Sequence, residues 1–143
     1  MARDMSPEEY RAFLMHGTRT GKLATVRRDG RPHVAPIWFV MDGDTLVLNT
    51  AEGSVKAQNI AHEPRVSLTV DDQQPPYSFV IVEGLAEIVD ASMDELLYWA
   101  TAIGGRYMGA ERAEAFGRRN AVPGELLVRI HPNKVIAKMN LSD

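Results

Sequence analysis

The 143-residue chain contains no cysteine. That absence removes disulfides, thiolate nucleophiles, iron–sulfur clusters and thiolate zinc sites together. Histidine is scarce too: His16, His33, His62 and His131 are the only four, and no two stand at the spacing of a His-Glu-x-x-His helix, so no metal site is expected. No apolar run approaches the length of a membrane span. The start, Met1-Ala2-Arg3-Asp4, lacks the apolar core of a signal peptide. The expectation is a soluble, cytoplasmic protein with no membrane contact. Positive charge is not in excess either: the formal net charge is −3, which gives nucleic-acid binding little electrostatic support. No acid–base dyad or nucleophilic triad is evident, and no catalytic residue is assigned.

What is present is ordinary globular material. Hydrophobic residues make up 45% and charged residues 24%, close to the average for folded domains. The length suits one domain over residues 1–143 with a single sizeable core. Ser6-Pro7-Glu8-Glu9 is a helix start, with Ser6 as cap, Pro7 in the first position and Glu9 three residues on. Ser92-Met93-Asp94-Glu95 repeats the capping box. Between them the pattern alternates as strands do. Lys22 to Arg27 and His33 to Met41 flank an Asp29-Gly30 hairpin turn, and Thr45 to Asn49 completes a meander. Arg65 to Val70 and Ser78 to Val89 are further strands, with Gly84 as a bulge or bend. Leu126 to Ile130 and Lys134 to Met139 close the chain, interrupted at Pro132. Short helices are expected from Ser54 to Ile60, from Ser92 with a weak point at Gly104-Gly105, and from Ala110 to Arg119.

Six or seven strands in hairpin order imply antiparallel pairing. A barrel, closed or partly closed, deals best with the edges. Ile37-Trp38-Phe39-Val40-Met41 and Phe79-Val80-Ile81-Val82 do not alternate, so both of their faces are expected to be covered. The outer cover is either a helix of the same chain or a second subunit.

The stretch from Asn49 to Ile60 carries the most chemistry. A strand ends in Asn49 and Thr50, and a helix begins at Ser54. First-turn N–H groups, the Thr50 and Ser54 hydroxyls and the Lys56 ammonium together would seat a phosphate. The spacing is not that of a Walker loop. The plain alternative is a capped helix with a solvated lysine.

The segments Gly21–Val26, Asp29–Phe39 and Ser54–Ile60, followed by Pro64–Leu68, Val82–Ala86, Arg106-Tyr107-Met108-Gly109 and Leu127–Ile130, resemble the pyridoxamine 5′-phosphate oxidase-like split-barrel family. Pro36-Ile37-Trp38-Phe39 and Arg106–Gly109 look most like its actinobacterial branch that uses the deazaflavin coenzyme F420. The resemblance implies a mainly β, α+β fold: a six-stranded antiparallel split β-barrel of the FMN-binding type. It implies a homodimer with the cofactor at the subunit interface. The cofactor phosphate would sit on Ser54 and Lys56, with Asn49, Thr50 and Asn59 nearby, and the ring along Pro36, Ile37 and Trp38. The implied activity is F420-dependent reduction of a hydrophobic, conjugated small molecule.

Val55 stands where the vitamin B6 oxidases carry adjacent basic residues, which weakens FMN and pyridoxal phosphate chemistry. An FMN-dependent oxidoreductase of the same fold stays open as an alternative. So does a non-catalytic carrier, or a haem protein with His33 or His62 as ligand. Several residues have two readings. Tyr77 either lines the pocket of a partner chain's cofactor or anchors its own loop. Trp38 either stacks on a ring or fills the core. Arg27, Arg28 and Arg31 either attract an acidic cofactor tail or solvate a hairpin. Trp99, Tyr107 and Phe116 form either a core stripe or a lid.

Overall fold

The computed structural model describes all residues, 1–143. The chain runs through β1 (Arg3–Asp4), α1 (Pro7–Met15), β2 (Gly21–Val26), β3 (Pro32–Ile37), β4 (Val40–Asp42) and β5 (Thr45–Ala51). Then follow α2 (Val55–His62), β6 (Arg65–Asp72), β7 (Ser78–Val89), α3 (Met93–Met108), a 3₁₀ turn at Ala110–Arg112, α4 (Ala113–Asn120) and β8 (Glu125–Met139). The strands form one antiparallel sheet in the order β3-β2-β6-β7-β8-β5-β4, and β1 adds to the end of β8. The two end strands, β3 and β4, are joined only through Trp38 and Phe39. The result is an α+β split barrel, as expected, with eight strands in place of six.

Three local differences turn the seven strands read from the residue pattern into eight. The expected strand from His33 to Met41 breaks at Trp38-Phe39, because its first half pairs with β2 and its second half with β5. The expected pair of closing strands is one long strand. Pro132, which has no N–H to give, lies opposite Gly84 where the β7–β8 register shifts, so the ladder continues around it. The added strand is β1, whose Arg3 and Asp4 pair with Met139 and Lys138.

The caps set the helix starts. Ser6 Oγ accepts from Glu9 N at 3.2 Å while Glu9 Oε1 accepts from Ser6 N at 3.0 Å, a complete capping box. Glu9 also pairs with Arg3, and that bond first, then the Ser6 amide, holds its carboxyl down at about 2. At α3 Ser92 accepts from Glu95 N at 3.1 Å, without a reciprocal bond from the glutamate.

Gly104 and Gly105 do not weaken α3, which runs unbroken past them. They are where α4 comes close: a Cβ on Gly104 would stand 2.7 Å from Phe116 Cβ, and one on Gly117 would stand 3.0 Å from Thr101 Cα.

Two apolar cores result. The larger fills the barrel, with Leu23, Phe39, Leu48, Leu68, Val82 and Ile130 among its members, and α1 packs against it. The smaller joins Val40, Val47 and Leu127, on the outside of the barrel, to Leu96 and Ile103 of α3. The second face of the Ile37–Met41 run is therefore covered, at Val40, by a helix of the same chain. In the other run Val80 and Val82 are buried, while Phe79 and Ile81 are only half-buried.

Candidate functional site

The break between β3 and β4 would leave backbone groups of Phe39 without a ladder partner inside the protein. Two side chains from the last turn of α3 replace it. Phe39 N donates to Tyr107 Oη at 3.3 Å, and Arg106 Nη1 donates to Phe39 O at 2.6 Å. Tyr107 Oη in turn donates to Arg19 O at 2.9 Å. Arg106 also donates to Leu14 O at 2.8 Å and Gly17 O at 3.0 Å, and its guanidinium lies over the Phe39 and Tyr107 rings. Burial pushes the Arg106 guanidinium below its ordinary value and the Tyr107 phenol above its own. The Tyr107 ring stacks on Trp38, with centroids 4.9 Å apart and planes 6° apart, and Phe116 of α4 approaches the same indole at 6.1 Å. Trp38 therefore rests on the α3–α4 pair and keeps about a third of its surface, 36%, open.

Beside it lies a cleft of about 350 Å³. The β3–β4 break contributes Pro36, Ile37 and Trp38. The end of β5 contributes Asn49, Thr50 and Ala51, and the first turn of α2 contributes Lys56. Ile103, Asn120 and Glu125 complete the wall. Lys56 forms neither an ion pair nor a hydrogen bond within the chain, and it is the only cation in the wall. Thr50 Oγ1 and Ser54 Oγ are 2.9 Å apart, and Ser54 Oγ accepts from Ala57 N at 3.1 Å. Two hydroxyl protons serve one bond between them, so one remains free to donate. Asn49 Nδ2 donates to Glu125 Oε2 at 3.3 Å. Glu125 Oε1 is shut off from solvent and has no partner. Burial raises the Glu125 carboxyl above its ordinary value, opposed by the Asn49 bond and the charge of Lys56.

Six of the nine residues singled out from the sequence thus share one cleft: Pro36, Ile37, Trp38, Asn49, Thr50 and Lys56. Ser54 stands behind them, bonded to Thr50. Asn59 faces elsewhere: it is buried, and its Nδ2 donates to Thr25 Oγ1 at 3.0 Å, tying α2 to the barrel. Tyr77 follows the Pro75-Pro76 turn near the opposite end of β8, with φ 58 and 44% of its surface exposed. Its carbonyl accepts from Leu141 N, so it anchors the C-terminal segment to its own loop.

In the Arg27–Arg31 hairpin, Arg27 caps Pro32 O and Arg31 pairs with Asp29, which spends part of the charge locally. His33 and His62 each keep one shielded ring nitrogen without a partner, and neither lines the cleft. Sequence reasoning did not find Glu125, Asn120 or Ile103. Each reaches the cleft through pairing or packing between distant segments, Glu125 by standing opposite Ala51 in the β5–β8 ladder.

A split barrel with a part-polar, part-apolar cleft at its strand break agrees with the class of pyridoxamine 5′-phosphate oxidase-like proteins. Residues 6–139 match the pyridoxamine 5′-phosphate oxidase family, and the chain belongs to it. Among solved structures, the conserved hypothetical protein Rv2991 from Mycobacterium tuberculosis is 30% identical, with a TM-score of 0.81 over 93% of this chain and 84% of that one. An F420 reductase is 28% identical, with a TM-score of 0.66 over 87% of this chain and 94% of that one. The heme storage protein HutZ from Vibrio cholerae shares the fold at 20% identity, with a TM-score of 0.72 over 94% of this chain and 96% of that one. No helix is long and apolar enough to cross a membrane.

Proposed function

We propose that the protein is a cytoplasmic oxidoreductase that binds coenzyme F420 in this cleft and passes hydride from the reduced deazaflavin to a hydrophobic, conjugated small molecule. The observation that carries the reading is the unpaired Lys56 ammonium sharing one cleft with a spare hydroxyl donor and the Pro36-Ile37-Trp38 strip. An unpaired cation beside a hydroxyl suits a phosphate. A strand break lined by proline, isoleucine and a supported indole suits a flat ring. The similarity to an F420 reductase favours the deazaflavin over FMN.

The residues present fit such a group. Lys56, Thr50 and Ser54 would hold the phosphate, Trp38 would border the ring, and Ile103 would help exclude water. When bound, the deazaflavin supplies the hydride chemistry itself, and the protein's part is to bind, orient and shield.

The test is a fluorescence titration of wild type and Lys56→Ala with F420, with FMN run beside it. Removing a charge-assisted contact should weaken F420 binding by about 1.5–3 kcal/mol, roughly ten- to a hundredfold. An unchanged dissociation constant in Lys56→Ala would move the seat elsewhere. Stronger binding of FMN than of F420 by wild type would transfer the protein to the FMN-dependent alternative.

The reading includes a homodimer that completes the site. The cleft is near the lower limit for ligand sites, so part of the cofactor would lie outside it. The neighbouring edge strand β3 presents Val34, 62% exposed, and Pro36 outward. Light scattering should give twice the chain mass at micromolar concentration. A monomer that still binds cofactor fully would remove the second subunit from the site.

A further inference from the structure

Glu125 is the only acid in the cleft wall, and Lys56 is the only cation. We propose that Glu125 makes the cleft select a phosphodiester over a phosphate monoester. The proposal rests on the reading of the cleft as a phosphate seat. A diester carries one negative charge. A monoester carries between about 1.5 and 2 at neutral pH, because its second ionisation lies near 6. Lys56 can balance one charge. No arginine lines the wall to balance a second.

The Glu125 carboxylate is poorly compensated. Asn49 gives it one N–H, at 3.3 Å to Oε2, and Oε1 has no donor at all. With Glu125 ionised, the wall is neutral before any ligand enters. The other polar groups of the wall, from β5 and α4, are uncharged: Asn49, Thr50 and Asn120. A second ligand charge therefore meets the Glu125 carboxylate and no further cation. The raised Glu125 carboxyl fits this placement, since its charge is held with little compensation.

The experiment compares F420, whose phosphate is a diester, with FMN, whose phosphate is a monoester. Riboflavin, which has no phosphate, is the control. Glu125→Gln keeps the shape of the side chain and removes the charge. It should tighten FMN binding about tenfold, F420 binding by a smaller factor of about three to five, and leave riboflavin unchanged. In wild type, which needs no substitution, lowering the pH from about 8 to about 5.5 protonates the monoester, whose second ionisation lies near 6, so FMN should gain on F420 across that range. An equal effect of Glu125→Gln on all three ligands, or none on FMN, overturns the charge selection. Wild type preferring FMN while Glu125→Gln still tightens FMN selectively would sink the F420 reading and sustain the charge selection. Binding of neither phosphate ester by wild type or variant overturns both.

Discussion

Arg106→Met should lower the unfolding free energy by about 3 kcal/mol and disturb the cleft at the same time. The arginine donates to three backbone carbonyls: those of Leu14 and Gly17 at the end of α1, and that of Phe39 at the β3–β4 break. Methionine fills much of the space and gives none of those bonds. The loss is that of hydrogen bonds from a charged donor plus the desolvation of carbonyls left facing apolar atoms, each worth about 1–3 kcal/mol and not additive. The stacking of the guanidinium on the Phe39 and Tyr107 rings goes too. Arg106→Lys keeps the charge but not the planar fork, so it should fall between. Urea denaturation reads the stability, and the F420 titration reads the cleft, since Trp38 stacks on the residue next to Arg106. A stability loss below about 1 kcal/mol would mean that water enters and satisfies the carbonyls.

That junction also shows where sequence reasoning stops. The apolar run from Ile37 to Met41 announces burial on both faces, which holds at Ile37, Phe39 and Val40 but not at Trp38, which stays partly open. Its division into β3 and β4 is not visible, because the break is made by competition between β2 and β5 for the same strand, and by two side chains sixty-odd positions away. Signals that act within a few residues were legible: Ser6 and Ser92 cap their helices, Gly30 takes the hairpin turn at φ 89, and Gly84 marks the bulge. Gly104 and Gly105 were legible as glycines but not in their purpose, which depends on α4 packing against them.

The same rule sorts the site. Asn49, Thr50, Ser54 and Lys56 are close in sequence, and one strand–helix turn delivers them together. Asn59 lies on that helix as well, but a full turn beyond Lys56 it meets the barrel, and Thr25 takes its amide. Glu125 becomes part of the seat only because β8 pairs with β5, a contact between residues more than seventy positions apart. The cleft therefore has two origins. A local turn supplies the cation and hydroxyls that attract an anion. The sheet topology supplies the carboxylate that discriminates between anions and the helices that hold the indole.

Gly84→Ala should cost about 3 kcal/mol, a fall in melting temperature on the order of 10 °C. A Cβ at this position would stand 2.4 Å from His131 O and 3.1 Å from Pro132 Cα, both backbone atoms that no rotamer change can move. The close approach exists because Pro132 cannot donate to the ladder, so β7 shifts register between Glu83 and Gly84 and brings its main chain against β8. Alanine forces either the two strands apart or the bulge onto another residue. Separation would expose Val82 and Val66, both in the barrel core. A moved bulge would turn part of β8 inside out, since the unpaired residue is Asn133 and side chains alternate between faces. Glu125 is seven residues from Pro132 on β8 and is anchored separately by its pairing with Ala51 of β5. The folded fraction of Gly84→Ala should therefore bind cofactor with an affinity close to that of wild type. Calorimetry gives the melting temperature, and titration well below it gives the affinity. A loss of affinity at full folding would show that strain in the bulge travels along β8 to the cleft, whereas an unchanged melting temperature would show that the sheet has room the glycine does not need.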